Sequence, residues 1–309
     1  MHIFILKRFL MMIPVLVGVI FIMFVLMQLT PGDPAMTRMG EAADPVALEA
    51  LREEMGLNDP FLVQFGSYIW GIVQLDFGTS WFPPNRPVFT EIFARFPNTM
   101  QLAGMGVVLA LVLGIPLGIL SAVKQYSIFD TGATFVGLIG VSIPNFWLGM
   151  MMIMFFTVNL SWLPPTGFAT PIQWIMPTIA IGTGSAAIIM RMTRSSMLEC
   201  IRQDYIRTAR AKGQIERKVI FRHALKNALI PVTTTAGLSF GFLLGGAILT
   251  ETIFAIPGLG AYMVTAFFQR DWPVAIGGVL LIAVSFSFVN LLVDILYAFI
   301  DPRIRSQYR

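Results

Sequence analysis

The sequence predicts an all-α polytopic membrane protein with about six transmembrane helices, and three observations support that fold class. Hydrophobic residues make up 56% of the 309 residues and charged residues only 12%, with a mean hydropathy of +0.75. Several apolar runs reach the roughly 20 residues that cross a bilayer. Most Lys and Arg residues lie near the ends of those runs, where they set orientation in a membrane, so the net charge of +4 does not indicate nucleic-acid binding.

The first apolar run extends from Phe9 to Leu29 and directly follows Lys7 and Arg8. Its length is enough to cross a bilayer, and the preceding cations place the N-terminus in the cytoplasm. A cleaved signal peptide is the alternative. The run is longer than a signal-peptide apolar region, however, and no small-x-small site precedes Pro31-Gly-Asp-Pro34. We therefore predict a retained first span.

The segment from Thr30 to about Asn98 is the least hydrophobic part of the chain and is expected outside the membrane on the extracytoplasmic side. Asp44-Pro45 and Asp59-Pro60 are signals for helix starts. They predict a helix that ends near Gly56, a second helix over Phe61–Val73 and a third, short amphipathic helix over Val88–Phe96. A contact surface for a substrate-delivery protein and a structural cap on the spans are both open. Residues 1–98 thus form a first unit, and residues 99–309 form the core.

Four or five further spans follow. Prolines or glycines interrupt three of them, at Gly114-Ile-Pro116, Pro144-Asn145 and Pro177. Backbone groups freed there must be satisfied inside protein or by water, so these segments are predicted to line the bundle interior, with simple packing kinks as the alternative. With six spans, the cytoplasmic side carries Lys124, residues 191–226, Arg303, Arg305 and Arg309. The predicted runs are Met100–Val123, Thr131–Val158, Ile172–Met190, Ala228–Ile248 and Val274–Leu296.

The long basic stretch between Asp204 and Pro231 lies between two of these spans. Its lead-in repeats apolar residues at helical spacing, at Leu198, Ile201, Tyr205 and Thr208. Gly213 then indicates a helix end or a sharp turn. A second short helix is predicted to turn four residues inward: Ile215, Val219, Ile220 and His223. Positive charge on the cytoplasmic side is common in membrane proteins, so the charge alone assigns no function.

The order of residues in this stretch is more specific than its charge. Thr208-Ala209, followed by Gly213, resembles the signature loop of ATP-binding-cassette (ABC) importer permeases, in which two small residues precede a glycine. The family's leading Glu is replaced by Arg207, and its trailing Ile-x-Leu-Pro reads as residues 223–226, departures that are typical of the peptide and nickel branch. Further matches in the same order are Pro31-Gly-Asp-Pro34, Met190–Met197, the Glu-x-x-Phe and Pro-Gly-Leu-Gly of residues 251–260, and the tail at residues 301–305.

The resemblance covers essentially the whole chain and is to the first of two related permease subunits in dipeptide, oligopeptide, glutathione or nickel importers. It implies the type I permease fold, a bacterial inner-membrane location and cytoplasmic termini. The implied partners are a homologous second permease in a heterodimer, two ATPase subunits that bind ATP and Mg, an extracytoplasmic binding protein and the lipid bilayer. In that family the loop couples to the ATPase, through residues that here are Arg207, Thr208, Ala209, Arg210, Ala211, Lys212, Gly213 and Glu216.

A second group of candidate residues follows the fifth span. Pro257-Gly-Leu-Gly260 permits a sharp turn, and the resembling family has this motif at the outer end of its pathway. We predict an outer gate or pathway there, with an ordinary turn as the alternative; its candidates are Glu251, Phe254, Pro257, Gly258 and Gly260. Asn145 and Asp294 are further pathway candidates. Intramembrane acids often mark a pathway, but Asp294 could instead pair with a cytoplasmic Arg such as Arg191 or Arg303, or share a hydrogen-bonded face with Asn290.

The chain is not expected to be an enzyme or to hold a cofactor. A P-loop needs a Gly-Lys pair, and all five lysines follow another residue. With His2 and His223 as the only histidines, neither a histidine-based metal site nor an intramembrane serine–histidine pair is expected. The lone Cys200 excludes an intrachain disulfide. The predicted function is translocation of dipeptides or oligopeptides; alternatives are glutathione, a nickel chelate or another solute, an ion-coupled secondary transporter, or a membrane-embedded enzyme.

Overall fold

The computed structural model of the protein describes residues 2–40, 44–82 and 85–300, with side chains described between residues 6 and 295 of these ranges. No β-strand occurs within them, apart from one isolated bridge between Thr79 and Pro87. The helices are α1 His2–Leu29, α2 Pro34–Met39, α3 Pro45–Glu54, α4 Phe61–Val73, α5 Val88–Val123, α6 Ile128–Ser142, α7 Asn145–Met152, α8 Pro171–Ile201, α9 Asp204–Ala211, α10 Glu216–Lys218, α11 Leu225–Ile253, α12 Leu259–Gln269 and α13 Trp272–Ile300. Two π-helical segments, Ile153–Asn159 and Val219–Ala224, extend α7 and lead into α11.

The predicted membrane architecture is confirmed. Among the described residues, five helices are long and apolar enough to cross a membrane, and a sixth span results if α6 and α7 are counted together. This pair bends by 97° at its break. Pro144 directly precedes α7 and has no N–H to continue the helical ladder. The run predicted as one span over residues 131–158 is therefore a broken one. The predictions for Arg303, Arg305, Arg309 and the tail at 301–305 concern residues outside the described ranges.

The prediction that Gly114-Ile-Pro116 breaks a span is wrong. α5 continues through Pro97 and Pro116 to Val123, and the short helix predicted over Val88–Phe96 is only its first part. Proline is tolerated within spans because neighbouring helices can satisfy the freed backbone groups. The glycines serve close packing instead, since a Cβ on Gly114 would lie 2.7 Å from the Ala186 carbonyl oxygen of α8. Pro177 likewise lies inside α8, which runs 11 residues beyond its predicted end at Met190.

The outer segment, of which the structure describes residues 30–40, 44–82 and 85–87, folds against the ends of α1 and α13. Its second helix, α4, has the predicted bounds, and α3 begins at Pro45 and ends two residues before Gly56, which takes a φ of +66°. Aromatic rings join α4 to α1: the Phe24 ring lies 5.7 Å from that of Phe65 and 5.4 Å from that of Tyr68. The division proposed at residues 98 and 99 stays a prediction, and that point falls inside α5.

The Pro31-Gly-Asp-Pro34 motif makes one close approach to the core and one ion pair within the outer segment. Gly32 has a φ of +108°, and a Cβ there would overlap the Arg270 guanidinium that follows α12. Asp33 accepts a hydrogen bond from the Ala35 N–H, which begins α2, and forms a 2.6 Å ion pair with Arg52 of α3. The motif is therefore a structural junction between the first span, the outer segment and the end of α12.

Candidate functional site

The predicted coupling loop is a short, separate helix. α8 ends at Ile201, Arg202 and Gln203 turn the chain, and α9 covers Asp204–Ala211. The prediction of one amphipathic helix through Leu198, Ile201, Tyr205 and Thr208 is wrong. The turn at residues 202–203 separates the first two residues, on α8, from the last two, on α9. Gly213 follows the end of α9 with a φ of +73°, a conformation that glycine adopts without steric cost. The predicted stop at Gly213 is confirmed.

α9 is anchored by its apolar face. Ile206 is fully buried and Ala209 is nearly so. They share an apolar cluster with the ends of three spans: Ile119 and Ala122 of α5, Met197 of α8, Val219, Ile220 and Ala224 of the π-helical segment that leads into α11, and Ala228 of α11. Burying a side chain of this size stabilises by about 1.5–3 kcal/mol. A force applied to α9 therefore acts on several spans at once.

The opposite face of α9 is exposed and basic. Arg207, Thr208, Arg210, Ala211 and Lys212 all lie on the surface. Of these, Arg210 reaches across the Gly213 turn to Glu216, with Nη2–Oε1 and Nε–Oε2 distances of 2.6 and 3.1 Å. This bidentate pair closes the loop onto the helix that follows it.

The second short helix predicted after Gly213 is instead the base of the fifth span. α10, the π-helical segment and α11 form one apolar helix from Glu216 to Ile253. Val219 and Ile220 face inward as expected, but Ile215 is 69% exposed and His223 is half-buried. The π-helical segment shifts the spacing of inward residues, which a regular helical pattern does not anticipate.

A buried ion pair near this loop was missed from the sequence. Arg194 of α8 donates to both carboxylate oxygens of Asp130 on α6, at 2.7 and 2.9 Å. Asp130 also accepts hydrogen bonds from the Ser121 hydroxyl of α5 and the Tyr126 N–H. The only available signal was weak: Ser127 followed three residues later by an acid, which is typical of a helix start. The network joins α5, α6 and α8 beside α9.

At the other end of the bundle, the predicted gate residues form a buried turn around Glu251. Its carboxylate accepts from the Thr99 hydroxyl at 2.6 Å and from the Ala261 N–H at 2.9 Å. Thr99 in turn accepts from the Leu259 N–H at 2.9 Å. These N–H groups belong to the first turn of α12, where a carboxylate is favoured. A Cβ on Gly258 would overlap the Glu251 carboxylate, so glycine is required there for close approach.

Phe254 fills the core beneath this turn. It is 1% exposed, and a Cβ added at Gly149 of α7 would approach its ring to 3.0 Å. The Phe254 carbonyl accepts from the Gly167 N–H at 2.9 Å. Pro257 presents its carbonyl to the Asn98 side chain at 2.8 Å. These contacts hold α5, α7, α11 and α12 together at this end of the bundle.

The other two candidates lie apart from the turn and from each other. Asn145 is the first residue of α7, at the bend of the broken span. Asp294 pairs with Arg8 of α1 at 2.9 Å; the pairing alternative is supported, but the expected partner Arg191 was wrong and Arg303 lies outside the described residues. Asn290 does not supply the expected hydrogen bond through its Oδ1, which is buried and accepts none from any described residue.

The sequence and fold match known transport proteins. Residues 1–103 match the family described as "Binding-prot-dependent transport system membrane comp, N-term", and residues 114–306 match "Binding-protein-dependent transport system inner membrane component". A dipeptide transport system permease protein, DppB of Alkalihalophilus pseudofirmus, is 46% identical over 97% of this chain and 98% of its own. An oligopeptide transport system permease protein, AppB of Bacillus subtilis, is 44% identical with the same coverage. DppB of Escherichia coli is 42% identical over 98% and 99%.

Solved structures support the fold. An inward-facing structure of the MetNI methionine ABC transporter superposes with a TM-score of 0.57 at 19% identity, covering 68% of this chain and 96% of that one. A second, an amino acid ABC transporter, gives a TM-score of 0.51 at 14% identity and covers 69% and 94%. The predicted permease fold is thereby confirmed at the level of architecture.

Proposed function

The chain belongs to the binding-protein-dependent transport inner-membrane component family, and we propose on that basis that it is the permease subunit of an ATP-driven importer of dipeptides or oligopeptides. The observation that carries the proposal is α9, a helix that is anchored by Ile206 and exposes a basic face at one end of a bundle of five or six spans. Relatives named as dipeptide and oligopeptide permeases match nearly the whole chain, which supports a peptide substrate over glutathione or a nickel chelate.

The end of the bundle that carries α9 faces the cytoplasm in this proposal. Lys124, the residues around α9 and Arg8 lie at span ends, and Lys and Arg accumulate on the cytoplasmic side. The outer segment and the Glu251 turn then face the extracytoplasmic side, where a binding protein delivers substrate. A second homologous permease completes the pathway, and two ATPase subunits dock on α9 and on its counterpart.

We propose that movement of the ATPase subunits displaces α9, and that α9 transmits this displacement to the spans. Because Ile206 and Ala209 are packed among α5, α8 and α11, a displacement of α9 displaces the bases of these helices rather than only a loop. The Arg210–Glu216 pair limits swinging at Gly213. Small shifts of packed helices are a recognised way to switch between two arrangements, here inward-facing and outward-facing states. The chain itself does no chemistry; ATP and Mg belong to the partner subunits.

An ion-coupled secondary transporter is the alternative from another class. Such proteins use acids within the membrane as coupling sites. The acids on the spans are already engaged, because Asp294 pairs with Arg8 and Asp130 pairs with Arg194. Glu251 is held by the Thr99 hydroxyl and the Ala261 N–H. The described residues also contain no group of three or more His, Cys, Asp or Glu that could hold a metal ion.

Co-purification with nucleotide-binding subunits tests the proposal. The chain, its second permease and the ATPases are co-expressed, solubilised and captured through a tag on this chain. Thr208→Trp places a bulky side chain on the exposed face of α9 and should reduce the retained ATPase at least tenfold. Thr37→Trp, on the exposed surface of α2, is the matched control and should retain it fully. Peptide uptake at the wild-type rate with no ATPase present would refute the proposal.

A further inference from the structure

α6, the first half of the broken span, is held to the bundle by very few buried groups. Every residue of this helix is described, and only Asp130, Gly137 and Gly140 are buried. These three lie on one stripe of the helix, at spacings of seven and three residues. The large apolar side chains of α6 are all exposed, by 42% to 90%: Ile128, Phe129, Phe135, Val136, Leu138, Ile139 and Val141.

The glycine part of this stripe contacts α8 without side chains of its own. A Cβ on Gly137 would lie 2.5 Å from Met190 Cε, and a Cβ on Gly140 would lie 3.3 Å from Thr183 Cγ2. Methionine is a flexible side chain that adapts to the space around it. Because no large side chain of α6 is buried in α8, these contacts alone define the position of α6 along α8 only weakly.

The ion pair between Asp130 and Arg194 is the directional contact between the two helices. Arg194 Nε and Nη2 donate to the two carboxylate oxygens at 2.7 and 2.9 Å, and Nε also donates to the Ser121 hydroxyl oxygen at 3.1 Å. The Asp130 side chain is only 6% exposed. The two bonds form together over a narrow range of positions, because the guanidinium fork must meet the carboxylate edge. Fixing the register is the best-attested role of buried ionic groups, whose net contribution to stability is small.

This network lies next to the apolar cluster that anchors α9. Ser121 directly precedes Ala122 on α5, and Arg194 lies one turn before Met197 on α8. Ala122 and Met197 pack in the same cluster as Ile206 of α9. The ion pair therefore joins α6 to the parts of α5 and α8 that hold the coupling helix.

The other half of the broken span reaches the outer turn. α7 follows α6 after the 97° bend, and its Gly149 is buried. A Cβ on Gly149 would lie 3.0 Å from the Phe254 ring. The position of α6 and α7 thus determines the surface against which Phe254 packs at the end of α11.

We propose that Asp130 and Arg194 are positioning residues for transport, which fix the register of α6 on α8 so that α6 and α7 follow α8 when α9 is displaced. The surface that packs against Phe254 then shifts together with the coupling helix. The role in transport rests on the proposed function, whereas the role in register is a property of this chain alone. Two measurements separate them.

The test replaces the network by apolar side chains, with Ser121→Ala, Asp130→Leu and Arg194→Met combined in one apolar variant. Replacing a buried ion pair as a whole is often neutral or stabilising, so the melting temperature should stay close to that of the wild type. A merely structural pair predicts that this variant also works like the wild type. Thr134→Leu with Ser195→Met is the matched control, because it adds the same side chains at exposed positions of the same two helices.

The first measurement is the register of α6. Spin labels are attached through a genetically incorporated keto amino acid at Val141 and Glu199, in the complex with the partner permease and ATPases, and their distance distribution is measured by pulsed electron paramagnetic resonance. The apolar variant should broaden or shift the distribution by about 2 Å or more, the size of helix shifts at interfaces. A reference pair at Val108 and Glu199 should stay unchanged, because α5 and α8 interdigitate where Ile189 packs against Gly114.

The second measurement is the amount of peptide transported per ATP hydrolysed in proteoliposomes. The apolar variant should lower this ratio at least about fivefold, the lower end of typical coupling between sites. It should retain the ATPase subunits like the wild type, since no residue of α9 is changed. Arg194→Lys keeps the charge but loses the guanidinium fork and should give intermediate values in both measurements.

A wild-type distance distribution in the apolar variant overturns the proposal, as does a wild-type transport ratio, or a control variant that changes as much. If the apolar variant does not assemble, Arg194→Lys decides by the same two measurements, and wild-type values overturn the proposal. If uptake does not depend on the ATPase but the distances change, the proposed function falls and the register assignment stands. If uptake is ATP-driven but neither quantity changes, the positioning role falls and the proposed function stands.

Discussion

Replacing Thr99 by Val should destabilise the turn around Glu251. The Thr99 hydroxyl does two things at once: it donates to Glu251 Oε1 at 2.6 Å and accepts from the Leu259 N–H at 2.9 Å. Both Thr99 and Leu259 are fully buried, so water cannot replace the lost group. Valine keeps the shape of threonine and removes only the hydroxyl.

The magnitude follows from these two bonds. An unpaired buried N–H at Leu259 costs about 1–3 kcal/mol, and a lost hydrogen bond to a charged group costs about 1.5–3 kcal/mol. Because the bonds share one oxygen, the two terms do not add fully, and we expect roughly 2–4 kcal/mol in total. For a chain of 309 residues that corresponds to a fall in melting temperature of about 3–6 °C.

The assay is the temperature at which half of the detergent-solubilised protein remains monodisperse on size-exclusion chromatography. Thr99→Ser restores the hydroxyl and should recover most of the loss. Thr265→Val is the matched control, since that threonine lies exposed on α12 and donates only to the Ala261 carbonyl one turn away; it should cost less than about 0.5 kcal/mol. If Thr99→Val melts with the wild type, or no lower than Thr265→Val, the hydroxyl does not hold this turn.

Three further changes test other parts of the structure. Gly213→Val should reduce the amount of peptide transported per ATP hydrolysed in proteoliposomes, because a φ of +73° costs a β-branched residue more than about 1–2 kcal/mol. Gly213→Asn should keep the wild-type ratio, because asparagine tolerates this conformation. An equal ratio in both variants would contradict the argument from the backbone conformation. Arg194→Lys should lower the melting temperature, since lysine cannot keep both bonds to Asp130, and an unchanged value would show that the second bond contributes nothing. Gly32→Ala should displace the Arg270 side chain and raise protease sensitivity of the outer segment, and a wild-type digestion pattern would count against that contact.

The elements that rest on local signals were predictable from the sequence. Phe61–Val73 was bounded correctly because Asp59-Pro60 starts a helix through chemistry within a few residues, and Gly213 ends α9 through its own φ. Five of the predicted spans follow from apolar length alone. In each case the residues that determine the element lie within a short stretch of consecutive sequence.

What the sequence could not supply depends on neighbours that are distant along the chain. Gly114 and Pro116 weaken a helix in isolation, yet α5 continues through both, and α8 packs closely against Gly114. Asp130 and Arg194 are 64 residues apart, so nothing local pairs them. The Glu251 turn was located by its motif, but the partner that makes it rigid, Thr99, lies 152 residues away. The sequence motif therefore located the Glu251 turn but did not show that a hydrogen bond from Thr99 stabilises it.

The two candidate sites lie at the ends of one helix. Glu216, which pairs with Arg210 of the coupling loop, begins the helix of 38 residues that ends at Ile253, a length of about 57 Å at 1.5 Å per residue. Glu251, which holds the outer turn, lies in the last turn of the same helix. A continuous helix transmits rotation and translation as a rigid body but does not itself provide two states. The two states must come from how this helix packs against its neighbours, where Gly106 of α5 leaves room for Leu243 and Gly241 leaves room for Phe286 of α13. A force on α9 therefore reaches the outer turn only through that repacking, and this is why the loop must be anchored at Ile206 rather than merely charged.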